Sequence, residues 1–208
     1  MGYRGARRGK GERISLRSAI VSIGVSLLLL AAGNTAATPI KLKQSDFFEL
    51  IRGTAQDTIY TFGNVRFAQG DTEVFCDSAV WIVNRTLHLW GSVRFKEGST
   101  LLEADSIVYR LVDSVMNARG SVRYQDEQGQ LIADSMVYRI KDSMLYASGD
   151  SVILISEADS IHAVCGEVYL DQAAGVLEML GRPIVRFGYP DTTESQVVIA
   201  DYIRYEYD

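Results

Sequence analysis

A two-part pattern, repeated along the chain at a nearly constant step, limits the fold more than any other feature. A glycine followed by a small polar residue and Val stands at Gly63, Gly91 and Gly120, with looser copies at Gly149 and Gly181, in steps of 28, 29, 29 and 32 residues. An acidic residue followed by Ser, with an aromatic four positions on, recurs at Asp77 (Trp81), Asp105 (Tyr109) and Asp134 (Tyr138). Asp201 with Tyr205 keeps the aromatic but not the Ser, and Cys165 with Tyr169 takes the same place in a degenerate copy. Offsets kept together through successive copies mark a repeat architecture. Its unit is clearest in Leu101 to Tyr124, two apolar-alternating runs joined at Val112-Asp113-Ser114, which reads as one antiparallel hairpin.

In an antiparallel pair, facing residues have numbers of constant sum. Asp105 with Gly120 centres on the predicted turn, Asp134 with Gly149 centres beside Asp142-Ser143, and Asp77 with Gly91 centres on Asn84. Each Asp therefore meets a Gly at midstrand, where a glycine marks a bulge or sharp bend. Aligned up the sheet, the Asp/Gly pairs predict a crease. On the glycine strands one apolar stripe runs through Leu87, Leu89, Gly91, Val93 and Phe95, and again through Met116, Ala118, Gly120, Val122 and Tyr124. On the aspartate strands the apolar parity switches, from Leu102 and Ala104 to Ile107 and Tyr109, so the extra residue of a bulge is expected there.

These signals predict an all-β chain of antiparallel up-and-down strands, ten to twelve in number, creased along a shared line. Turns are expected at Gln69-Gly70-Asp71, Lys96-Glu97-Gly98, Gln125 to Gly129 and Tyr189 to Ser195, alternating with Asp-Ser turns at Asp113 and Asp142; Asp150 is read as turn chemistry too. Asp46 to Arg52 could form a short helix, but pairing Asp46 with Gly63 makes it a first, weaker aspartate strand. No linker divides Thr38 to Asp208, which is read as one domain.

Residues 1–37 stand apart. Six basic residues precede Ala19 to Gly33, an uncharged run rich in Leu and Val, and Thr35-Ala36-Ala37 offers small residues for cleavage. This is the pattern of a secretory signal, with the mature chain starting near Thr38; an uncleaved N-terminal anchor is the alternative, although the run is short of the roughly 20 apolar residues of a membrane span. Asn34 stands where a lipoprotein would carry Cys, which rules out lipidation at that point.

Six of the 21 basic residues and one of the 26 acids lie before Thr38, so the remainder carries a formal net charge of −10. Such a chain is repelled by phosphate backbones, and nucleic acid is not an expected partner. Export would permit a disulfide between Cys76 and Cys165. The repeat register separates them by more than about 20 Å, beyond the roughly 7 Å reach of a bridge, so both are expected reduced and inward-facing.

No residue pattern points to catalysis, a metal or a cofactor. The carboxylates of Asp77, Asp105, Asp134 and Asp201 fall two strands apart, about 10 Å, too far to share an ion. His88 has the parity of a solvent-facing residue, and His162 has no Ser, Cys or carboxylate at a telling spacing. Glycine-rich phosphate loops and nucleophile elbows are absent from the sequence. What remains is the interior, which is either a closed core or a groove for an acyl chain.

The phrases Phe-Gly-Asn-Val-Arg-Phe (62–67), Val-Phe-Cys-Asp-Ser-Ala-Val-Trp (74–81), Leu-Glu-Ala-Asp-Ser-Ile-Val-Tyr (102–109) and Leu-Ile-Ala-Asp-Ser-Met-Val-Tyr (131–138) resemble the OstA-like family. This is the LptA/LptC group of periplasmic lipopolysaccharide-transport proteins; the Cys-Asp-Ser form is similar to the longer versions found in Bacteroidetes. The resemblance covers about residues 40 to 205 and implies a folded antiparallel sheet, the β-jellyroll or β-taco, in the periplasm. It also implies lipopolysaccharide as a partner, with lipid A acyl chains sheltered by Val65, Phe67, Leu89, Val93, Phe95, Ala104, Val122, Tyr124 and Ala133. Unpaired edges near Asp46 to Ile51 and Val197 to Tyr205 would then stack on other transport components or on further copies. The fourth copy departs from the family pattern at Cys165 and at Gly181-Arg182-Pro183. A structural scaffold or adhesin that assembles through its edges without a lipid is the competing reading.

Overall fold

A computed structural model describes residues 40–127, 129–156, 160–188 and 196–206. The expected export segment and the turn at Tyr189 to Ser195 lie outside them. Fourteen strands form one antiparallel sheet: β1 (Lys41–Gln44), β2 (Phe47–Ile51), β3 (Thr58–Gln69), β4 (Thr72–Ile82), β5 (Thr86–Glu97), β6 (Thr100–Arg110), β7 (Val115–Gln125), β8 (Gly129–Arg139), β9 (Met144–Ser156), β10 (Ile161–Asp171), β11 (Val176–Leu180), β12 (Ile184–Phe187), β13 (Gln196–Ile199) and β14 (Tyr202–Glu206). Both β1 and β2 pair with β3, and both β11 and β12 pair with β10. β14 adds to β11 and β13 to β12. These three couples are halves of single bent strands, so the sheet is eleven bent strands in sequential order, a β-jellyroll left open at both edges. Within Asp46 to Arg52, Phe47–Ile51 is strand rather than helix, and Asp46 sits at the bend before it.

The bend is where the sequence places it. A Cβ built on Gly63, Gly91, Gly120 or Gly149 would lie 2.3, 2.1, 2.1 or 2.6 Å from Oδ2 of Asp46, Asp77, Asp105 or Asp134, so each predicted Asp/Gly pair meets. The extra residue, however, is on the glycine strand and not on the aspartate strand. Trp90 pairs with Ser106 and Val93 with Ala104, leaving Gly91-Ser92 opposite Asp105 alone. Gly63-Asn64 and Gly120-Ser121 oppose Asp77 and Asp134 in the same way. All six bulge residues have positive φ, between +46° and +77°. Glycine enters that region without steric cost, which is why the bulge forms on its strand. The aspartate carboxylates take up freed donors: Asp134 Oδ2 accepts from the Asp150 N–H at 2.8 Å, and Asp46 Oδ2 accepts from Asn64 Nδ2 at 2.9 Å. Asp150 is thus a crease residue inside β9, not a turn residue.

The degenerate copy is registered one residue later than Cys165. Gly166 occupies the aspartate place, and a Cβ on its partner Gly181 would lie 2.9 Å from Gly166 Cα. Tyr169 mimics the aromatic at the expected offset, but it is Leu170 that is buried like Tyr109 and Tyr138. Cys165 instead aligns with Cys76, Ala104 and Ala133, all buried on the inner face. The two cysteines are free and six strands apart, about 30 Å at the usual strand spacing.

Candidate functional site: the interior between the two halves

The crease divides the sheet into two walls that face each other. One, here the upper wall, carries the turns at 111–114 and 140–143; the lower wall carries those at 70–71 and 98–99. Alternation along each strand sends every second side chain into the space between them. All nine residues expected to line the interior do face it and are buried, none more than 5% exposed. Eight of the nine lie on the lower wall. The upper wall is a cross-strand row the family resemblance did not supply: Leu87, Tyr109, Met116, Tyr138, Leu145 and Leu170 are directly paired neighbours in turn, and all are buried. Four of the six were visible in the sequence, Leu87 and Met116 in the apolar stripe and Tyr109 and Tyr138 at the aromatic offset.

The walls are in contact rather than splayed. Phe67 of the lower wall meets Trp81 of the upper edge-on, with ring centroids 6.2 Å apart. Two apolar cavities remain between them, one at each end of the sheet. The first, about 30 Å³, is lined by Ile40, Phe67, Thr72, Leu87, Phe95 and Tyr109. The second, about 130 Å³, is bounded by Leu154, Ile161, Leu177, Val185, Phe187 and Ile203. A third space of about 310 Å³ is polar and lies at the crease beside β1, where Phe75 sits between the Arg66 and Arg94 guanidiniums at 5.6 Å from each.

Chemically the interior is apolar, apart from a polar lip on the lower wall where Thr72, Glu97 and Thr100 are paired in turn. Burial pushes the Cys76 thiol up to about 12 and the Cys165 thiol to about 11. Burial likewise holds the Tyr138 phenol up at about 12, and raises Tyr124, which also donates to Asp126 Oδ2 at 3.1 Å. Groups so shifted stay protonated near neutrality. Neither histidine faces this space: His88 stacks on Trp90 on the outer surface at 5.6 Å, and His162 pairs with Ile155 and Arg186 on the outer face of the lower wall. Among the described residues no group of three or more His, Cys, Asp or Glu is placed to hold a metal ion, and no helix is long and apolar enough to cross a membrane.

The borders of the sheet differ from its middle. Of the twelve exposed large apolar side chains among the described residues, eight lie on the two edge strands. Phe47, Phe48, Leu50 and Ile51 are 40–50% exposed on β2, and Val197, Val198, Ile199 and Tyr202 are 44–66% exposed on β13 and β14. On both edges the apolar residues point to both faces of the sheet.

A single antiparallel sheet, folded along an Asp/Gly crease around an apolar interior and open at two apolar edges, defines a β-jellyroll. The family model described as OstA-like protein matches residues 37–178, and the chain belongs to that family. Among solved structures it is similar to LptH of Pseudomonas aeruginosa, described as the LptA-homologous periplasmic component of the lipopolysaccharide transport device. The likeness has a TM-score of 0.51 at 14% identity and covers 58% of this chain and 96% of that one, which establishes the shared fold. No curated protein matches the chain.

Proposed function

We propose that this chain is a non-enzymatic periplasmic carrier of lipopolysaccharide, acting as a bridge or shuttle towards the outer membrane, with the lipid A acyl chains held between the two walls. The observation that carries this reading is the apolar interior, which runs without interruption from one unpaired edge to the other and ends in a cavity at each. Membership of the OstA-like family and the fold shared with a periplasmic transport component support it. Acyl burial is worth about 0.8 kcal/mol per methylene, so an acidic protein can hold an anionic lipid while its headgroup stays in water. The cavities are far smaller than an acyl chain, so loading requires the walls to part along the side opposite the crease. The exposed apolar edges suit strand addition by another jellyroll component or a second copy.

The competing scaffold reading draws on the wall-to-wall contact, which leaves the unloaded interior nearly filled. A photocrosslinking residue at Phe95 or Tyr124 in cells separates the two. Lipopolysaccharide adducts at either inward site are expected; adducts to protein alone would establish the scaffold. Export is part of the proposal, and mass spectrometry of the mature protein should find its start near Thr38, whereas a retained residue 1–37 segment would make it an anchored, LptC-like component.

A further inference from the structure

The outer face of the lower wall changes character partway across the sheet. In the row beside the crease, β3 to β7 place Arg66, Phe75, Arg94, Glu103 and Arg123 in turn. The same row continues through β8, β9, β10, β12 and β13 as Ile132, Ile153, Val164, Ile184 and Ile199. A row dominated by charge thus gives way to one that is wholly aliphatic.

The inner-face neighbours of the aliphatic residues, Leu131, Val152, Leu154, Ala163 and Val185, are buried. This part of the wall is therefore apolar on both faces, as in the run Val152-Ile153-Leu154-Ile155. A sheet with one face in water alternates polar and apolar residues, whereas a continuous apolar run belongs to a strand covered on both sides. Ile132, Ile153, Val164 and Ile184 are partly exposed, and Ile199 is 66% exposed. The row spans four strand steps, about 19 Å, and a contiguous apolar patch marks an interaction surface. Its borders are charged unevenly. On the crease side Asp134 and Asp150 are exposed at the β8 and β9 end, and Arg182 is exposed at the β12 end. On the opposite side Gln130 stands on β8 and the exposed Arg186 on β12.

We propose that this face packs against the same face of a second copy of the chain, about a two-fold axis that runs between β9 and β10 and parallel to them. A flat face of branched side chains is the kind that two sheets bury between them. Under this rotation Ile153 faces Val164 of the second copy and Ile132 faces Ile184, while Ile199 lies over the aliphatic stem of Arg123. The borders match at the same time: Asp134 comes opposite Arg182 and Gln130 opposite Arg186. A half-turn about an axis across the strands would instead set Arg182 against Arg186. A partner of a single charge would leave either the acidic or the basic end unmatched, whereas a second copy answers both. Such an interface closes at two copies and leaves the β2 and β14 edges unpaired, so it is independent of the carrier reading.

The test is sedimentation equilibrium of the purified protein, which is expected to show a monomer in equilibrium with a dimer. Ile153→Glu buries an unpaired charge at the axis and should weaken the dimer by at least about tenfold. Arg182→Glu sets a carboxylate against Asp134 of the second copy and should weaken it several-fold, by less at high salt. Circular dichroism reports that both variants fold. A short bismaleimide should join Ile153→Cys into a covalent dimer and leave the wild type, whose two cysteines are buried, uncrosslinked. A wild type that stays monomeric at every concentration would overturn the proposal. So would a series of larger oligomers that Ile153→Glu leaves unchanged, which would assign association to the edges. Binding of a monomeric wild type to phospholipid vesicles, lost in Ile153→Glu, would overturn it in favour of a bilayer as the cover.

Discussion

The crease is built in two ways in this molecule, and the difference shows what a fold line in a sheet needs. Through the middle of the sheet an aspartate meets a glycine, and strands of 11–13 residues pass through the bend unbroken. In the last copy Gly166 meets Gly181, Arg182 takes a φ of +60°, Pro183 follows, and the strand opposite β10 is broken into β11 and β12. Glycine is common to both versions and aspartate is not. Bending needs a residue free to enter the left-handed region with no side chain in the way; a facing aspartate is not required, since β10 runs through Gly166 unbroken, but where it is present, as Asp134 is, its carboxylate takes up an N–H of the bent strand.

The sharpest way to break this contrast is Gly120→Val. At φ +76°, with Asp105 Oδ2 2.1 Å from the new Cβ, it should destabilise by about 3 kcal/mol or more in urea unfolding, whereas Gly166→Ala, whose Cβ finds nothing nearer than 3.5 Å, should cost less than about 1. Equal losses would mean that the aspartate place, filled by Gly166 in the last copy, is as tightly constrained as the glycine place at Gly120. Asp134→Ala tests the other half of the idea. It hands the exposed Asp150 N–H, bonded at 2.8 Å, to water and should cost about 1 kcal/mol, with faster amide exchange confined to the crease of β8 and β9. The smallest effect concerns the cysteines, which hold the same repeat position in a regular and in the degenerate copy. Burial holds their folded pKa values above the ordinary thiol value of 9.0, so their contribution to stability is complete below about pH 9 and is lost as pH rises through about 11 to 12. At pH 8 both should resist a thiol reagent until urea is added. If the glycine-only bend opens more readily, Cys165 will label before Cys76.

Much of this geometry was legible in the sequence, for a physical reason: strand side chains alternate with period two, and hairpin partners have numbers of constant sum. Together these fixed the Asp/Gly meetings and the inward residues of the lower wall, from Val65 to Ala133. They did not reveal which strand holds the extra residue, because the facing of Ala104 and Ile107 is the same whether the surplus lies beside Asp105 or at Gly120-Ser121; only pairing counts decide. Cys165 was set one place early because Tyr169 carries an aromatic at the familiar offset while facing away from the core. The polar lip was invisible as a lip, since Thr72, Glu97 and Thr100 flank hairpin ends and look like turn residues until burial places them on an inner wall. Wall-to-wall contact has no sequence signature at all, because periodicity tells direction and not distance.

The bends lie in line through eleven hydrogen-bonded strands, so each wall is a plate and the two plates share one axis. Like the covers of a bound book, they cannot be lifted at one page alone: prying at the β2 border of the upper wall is felt at its β14 border. On the carrier proposal, a guest entering at one mouth would thus loosen the grip on whatever is leaving by the other, giving transit along the molecule a mechanical reason to proceed in step.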